Sequence, residues 1–91
     1  MPVQVHVTSV IQKVVDDQRE FEADGGTIAE LLVNIERRYP GFRKQIADDD
    51  GELHRFVNIY LNDEDIRYLG GTDTALSDGD AVSILPALAG G

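Results

Sequence analysis

Ninety-one residues, 42% hydrophobic and 27% charged, have the composition of a folded domain rather than a disordered chain. Seventeen acidic against eight basic residues give a formal charge of −9, which repels phosphate backbones and argues against nucleic-acid binding. Without cysteine there are no disulfides, thiolate metal sites or sulfur nucleophiles, and neither a bilayer-length apolar run nor a basic-then-apolar leader is present; one cytosolic, monomeric domain (residues 1–91) with no membrane partner is expected.

Val3, Val5 and Val7 alternate with Gln4, His6 and Thr8, the two-residue period of a half-buried strand. Residues 10–18 carry no clear period and are expected to form a long connection. Residues 19–23 read as a short second strand, and Asp24-Gly25-Gly26 as a turn. The helix signal is stronger: Ile28, Leu31, Leu32, Ile35 and Tyr39 fall on one face. Thr27 stands at the N-cap, and Glu30 is placed to complete a capping box. Pro40-Gly41 ends the helix, and residues 42–47 are expected to add one further turn. Tyr39 and Phe42 are assigned to the edge of the core.

Asp48-Asp49-Asp50-Gly51-Glu52 lacks the alternating, twelve-residue ligand spacing of a calcium loop and reads as a solvated turn. Residues 56–61, rich in aromatic and β-branched side chains, form the best strand. Asn62-Asp63-Glu64-Asp65 is expected to turn the chain, with Asp63-Glu64-Asp65 as a solvated hairpin tip and residues 66–69 returning antiparallel before Gly70-Gly71 breaks the strand. Asp78-Gly79-Asp80 makes a tight turn into a last strand, 81–85, and pairing is expected to fade at Pro86, which has no amide donor. The order is β-β-α-β-β-β, which suits one main helix packed across a mixed sheet of four or five strands, an α+β fold.

Beyond that strand lies an uncharged tail, Ala87-Leu88-Ala89-Gly90-Gly91. No charge follows Asp80, and two terminal residues without side chains leave a carboxylate that another protein can surround. If Val57, Ile59, Leu61, Val82 and Ile84 face the helix, alternation turns Phe56, Tyr60 and Leu85 to the opposite face, a candidate docking patch. His6 and His54 have no cysteine partners, so a zinc site is not expected; His54-Arg55 is read as structural. Lys13 and Lys44 are the only lysines, a poor supply for building side-chain polymers.

The Ser77-Asp78-Gly79-Asp80 turn, the following Val82-Ser83-Ile84-Leu85-Pro86 and the terminal Gly90-Gly91 together resemble the ThiS/MoaD family of sulfur carriers. The stretch from Val57 to Arg67 is similar to that family's central hairpin. HRFVNIYLNDEDIR with ILPALAGG looks closest to the actinobacterial carriers used in cysteine synthesis. The resemblance implies a ubiquitin-like β-grasp with first and last strands parallel at the sheet centre and residues 86–91 as a flexible tail.

It further implies that Gly91 is the covalent attachment point. An E1-like adenylating and sulfurating enzyme of the MoeB/ThiF type, using ATP and magnesium, would activate its carboxylate, and a sulfur donor would convert it to a thiocarboxylate. Ala87, Leu88, Ala89 and Gly90 would thread the partner's channel, with Leu88 as the one sizeable anchor. A PLP-dependent cysteine synthase acting on O-phosphoserine and a zinc-dependent JAMM-type peptidase are the implied further partners, so PLP and zinc belong to them. The chain would be a protein co-substrate with no catalytic residue and no bound cofactor. Sulfur supply to thiamine, molybdopterin or sulfur-containing natural products stays open, as do a ubiquitin-like modifier and a plain β-grasp interaction module. Ala89, where ubiquitin has arginine, counts against the modifier.

Overall fold

The computed structural model describes residues 2–47, 53 and 57–86. The alternation in the first segment forms β1 (Pro2–Val7), with Val3, Val5 and Val7 buried. It pairs antiparallel with β2 (Glu20–Asp24), where Phe21 and Ala23 are buried and the three acids between and beside them are exposed.

The connection between these strands is more ordered than its sequence suggests. It contains a one-turn helix, α1 (Ser9–Gln12), followed by turns, and Ile11 and Val15 are fully buried. Asp16 and Asp17 both adopt positive φ (57° and 59°), and the Asp17 N–H donates to Gln12 O at 2.7 Å, closing the turn. Short-chain acids tolerate this left-handed region better than most residues. Ile11 in the helix and Val15 in the turns after it seat this connection on the core, but one turn is too short to show a period.

The main helix, α2 (Ile28–Arg38), buries Ile28, Leu31, Leu32 and Ile35. Thr27 Oγ1 accepts from Glu30 N at 3.2 Å, while Glu30 Oε1 accepts from Gly26 N at 3.0 Å. The reciprocal arm of the expected box therefore lands one residue upstream. Gly25 allows the approach of the helix: a Cβ there would lie 2.6 Å from Leu31 N.

Gly41, at φ 105°, swings the chain into α3 (Phe42–Ile46). That turn carries Phe42 into the core, 0% exposed, and not to its edge as expected; Tyr39 does stay at the margin. The Tyr39 ring meets Phe21 edge-on, centroids 5.5 Å apart.

The strongest strand is β3 (Val57–Leu61). The return after it differs from expectation. Asn62 and Asp63 both have positive φ (50° and 72°), so a two-residue turn places Glu64 opposite Leu61 at once. This geometry matches the twist of hairpin strands. The fourth strand, β4, is only Glu64–Asp65, and residues Ile66–Tyr68 curl into a 3-10 turn instead of pairing. Asp65 causes the curl by accepting from Arg67 N at 2.9 Å, and Ile66 drops into the core. The last strand, β5 (Ala81–Pro86), keeps Pro86 in register with Val57, one residue beyond the expected limit.

The described residues form a five-stranded sheet ordered β2-β1-β5-β3-β4, with β1 and β5 parallel at the centre and other neighbours antiparallel. The helix α2 packs across one face, giving the ubiquitin-like β-grasp. The Asp48–Glu52 turn, His54 and Arg55 lie outside the described residues.

Candidate functional site

The last strand connects the sheet to the tail, so its surroundings define the site. Buried Val82 and Ile84 point to the helix, as do buried Val57 and Ile59, while Leu61 packs against the core from a part-buried position. The alternation therefore runs as anticipated. On the opposite face Tyr60 stands across from Ser83, and Leu85 across from Asn58. Tyr60 is part-buried and Leu85 36% exposed, so both reach solvent on the side that no described helix covers. His6, paired in register with Ser83 from β1, extends this row towards Glu20 of β2, and its Nδ1 lies 3.8 Å from the Glu20 carboxylate. The face thus has a polar and aromatic centre with an acidic flank, Glu20, Glu22 and Asp24, along β2. Phe56 and the tail residues Ala87, Leu88, Ala89, Gly90 and Gly91 lie outside the described residues.

Two side-chain networks brace this face. Arg67 holds Asp65 through Nε and Nη2, the shortest contact 2.7 Å, and Nη2 also donates to Asn58 Oδ1 at 2.6 Å. The guanidinium so ties the 3-10 turn to β3 next to Tyr60. The Arg67 side-chain bonds, and then its backbone N–H, hold the Asp65 carboxyl below the usual carboxylate range. In return Asp65 raises Arg67 above its ordinary value. Far from being a solvated tip, Asp65 has a side chain only 11% exposed.

The second network sets the start of β5. Asn62 donates its backbone N–H to Ala81 O at 2.8 Å, accepts from Ala81 N on Oδ1 at 3.0 Å, and donates from Nδ2 to Asp80 Oδ1 at 3.1 Å. Asp80 Oδ2 accepts from Ser77 N at 2.8 Å, closing the turn over Gly79, whose φ is 85°. The hairpin tip is thereby stitched to the strand that leads to the tail. Neither network was recognised in the sequence; the Asp65-x-Arg67 spacing was the only local sign. Among the described residues no three His, Asp or Glu side chains converge as metal ligands. No helix there is long and apolar enough to cross a membrane.

The ThiS family profile matches residues 5–91. The chain belongs to the ThiS family. Among ThiS-family relatives, the sulfur carrier protein CysO of Mycobacterium tuberculosis is 43% identical over 93 residues, covering 100% of both chains. Its crystal structure superposes with a TM-score of 0.88 at 41% identity, over 94% of this chain and 99% of that one. CysO of Amycolatopsis orientalis, solved in complex with BexX, gives a TM-score of 0.89 at 37% identity over 98% and 99% of the two chains. Small archaeal modifier protein 3 of Haloferax volcanii is 40% identical over 68 residues, 75% of this chain and 73% of its own. This ThiS-family chain is thus a small protein carrier and not an enzyme.

Proposed function

We propose that the chain is a sulfur carrier that holds its cargo as a thiocarboxylate on Gly91 and delivers it to cysteine biosynthesis in the cytoplasm. The observation that carries this reading is the match to CysO along the whole chain, joined to a central β5 that runs directly into Ala87-Leu88-Ala89-Gly90-Gly91. Attack on a bare carboxylate must expel oxide and adds negative charge to negative charge. Transfer of AMP from ATP to the Gly91 carboxylate, releasing pyrophosphate, supplies a leaving group. A sulfur donor then displaces AMP, and the thiocarboxylate that remains is reduced, nucleophilic and tethered.

The tail residues suit those steps. Gly91 offers a carbonyl without a side chain to hinder nucleotide or donor, and Gly90 relaxes the backbone for a narrow channel. Residues 86–91 fully extended reach at most about 20 Å, enough to enter a buried site while the sheet face docks outside. Tyr60, Leu85 and Phe56 form the docking patch in this reading, and Leu88 the anchor at the channel mouth. An E1-like enzyme with ATP and magnesium performs the activation. A PLP-dependent synthase takes the sulfur onto O-phosphoserine, and a JAMM-type zinc peptidase frees the product.

Intact mass spectrometry after incubation with ATP, magnesium, a sulfur donor and lysate of the source cells tests the proposal. Replacement of one oxygen by sulfur is expected, and should vanish when Gly91 is deleted or one residue is appended to it. Normal loading of the extended chain without trimming would overturn it. The similarity to small archaeal modifier protein 3 favours a second reading, conjugation through Gly91 to lysines; that reading requires isopeptide adducts in cells and little thiocarboxylate.

A further inference from the structure

An open sheet has two edges, each a row of main-chain donors and acceptors that another strand can complete. One edge of this sheet is β4, which offers only Glu64–Asp65 before Arg67 folds across Asp65. The other is β2, five residues long. Arg19 O bonds inward to Val7 N, so by alternation the main-chain groups of Phe21 and Ala23 face β1, and those of Glu20, Glu22 and Asp24 face out.

Two of the outward carbonyls are taken by the neighbouring helix. Asn34 Nδ2 donates to Asp24 O at 2.7 Å, and Arg38 Nη1 donates to Glu22 O at 2.6 Å. The match is geometric. Residues four apart on a helix are separated by about 6 Å along its axis, and residues two apart on a strand by about 6.6 Å. Arg38 is itself held, 5.2 Å from the Tyr39 ring centroid and with Nη2 3.2 Å from Tyr39 Oη, which also accepts from Gln18 at 2.8 Å. Beside the edge lies a cleft of about 420 Å³ whose lining includes Phe21, Glu22, Asp24 and Arg38.

We propose that the outer edge of β2 is a latent self-pairing surface, closed by Asn34 and Arg38, and that this closure keeps the carrier single. A second copy is the occupant excluded, because every copy presents the same edge. Antiparallel pairing centred on Glu22 would set Glu22 against Glu22 and Glu20 against Asp24. Like charges directly opposite are unfavourable, so the carboxylates form a second barrier that salt weakens. This inference concerns the edge alone and stands or falls independently of the chemistry at Gly91.

The test is sedimentation velocity of the full chain over a range of concentrations, at low salt and at about 1 M, where charges are screened beyond about 3 Å. The parent and Arg37→Ala, which leaves both bonds intact, should remain monomeric. Asn34→Ala/Arg38→Ala should self-associate at least about tenfold more tightly than the parent at high salt, as restoring two hydrogen bonds across the dimer implies. Adding Glu22→Gln should strengthen the dimer further at low salt, and the Glu22 amide should gain hydrogen-exchange protection on association. Should the alanine variant fail to fold by circular dichroism, Asn34→Leu/Arg38→Met keeps apolar volume and removes both donors. A folded variant as monomeric as the parent at high salt overturns the proposal. So does a parent that already dimerises, or association that leaves the Glu22 amide unprotected.

Discussion

Asn62 carries more of the architecture than its place at a hairpin tip suggests. At φ 50° it occupies the left-handed region, where asparagine is tolerated better than most side chains. From there it makes three bonds to Asp80 and Ala81. Asn62→Ala removes the two side-chain bonds and leaves Ala81 N without its acceptor. A loss of about 1–3 kcal/mol in urea unfolding is expected, and Asn62→Gly should recover only the backbone share. Asp65 gives a pH test with a definite sign. Its carboxyl is depressed in the folded protein by Arg67, so its contribution is present above the ordinary carboxylate pKa of about 3.9 and is lost as pH falls through the folded value. In an NMR titration the Asp65 midpoint should lie below that of a free aspartate. Arg67→Met should raise it part of the way, because the backbone N–H of residue 67 still donates. An unchanged midpoint would remove the guanidinium as the cause. Thr27 and Glu30 were legible in the sequence because cap and partners lie within four residues. Asn62 and Asp65 were not, because their partners are chosen by the fold or by the way the chain curls.

The strands and α2 were legible for a physical reason: their alternation and helical stripe each extend over enough residues to show a period. Failures fell where an element was shorter than its own period. The single turn of α1 holds Ile11, with Val15 buried in the turns that follow, and a two-residue β4 cannot alternate. Phe42 was misplaced because a positive φ at Gly41 aims it inward, which no local pattern encodes. Gly25 is the comparable control on α2. Its missing Cβ leaves room for backbone, Leu31 N at 2.6 Å and Leu31 Cα at 2.8 Å, and backbone cannot rotate away. Gly25→Ala should therefore shift the first turn of α2 and cost about 1–3 kcal/mol, as overpacking does. Gly79→Ala faces no clash but a φ of 85° and should cost about 1 kcal/mol for backbone strain alone. Equal losses by thermal denaturation would show that close packing is not what sets the helix in place.

The proposed function divides labour between a sheet face that would position and a tail that would react, and the two can be separated by experiment. One side of the sheet is covered by α2, with Phe42, Ile59 and Val82 among the buried residues beneath it, so that side is spent on stability. The other side, which no described helix covers, holds Leu85 on the strand leading to the tail and Tyr60 on the strand next to it, with the carboxylates of β2 along one flank. A partner suited to this face would present an apolar centre and cations towards β2, and its association rate would fall with salt. That Tyr60 and Leu85 face away from α2 was readable from alternation alone, whereas the acidic border required knowing that β2 lies beside β1 and not beside β3. Tyr60→Thr/Leu85→Thr puts strand-favouring β-branched residues in place of both side chains while removing apolar reach. Unfolding free energy should change by no more than about 1 kcal/mol, since neither side chain is in the core. Affinity for the activating enzyme should fall about tenfold or more, through KM and not kcat, if these are interface anchors. Deletion of Gly91 should do the reverse, leaving docking intact by calorimetry while abolishing sulfur loading. Were the threonine variant to load at the parental KM, the uncovered face would not be the docking surface.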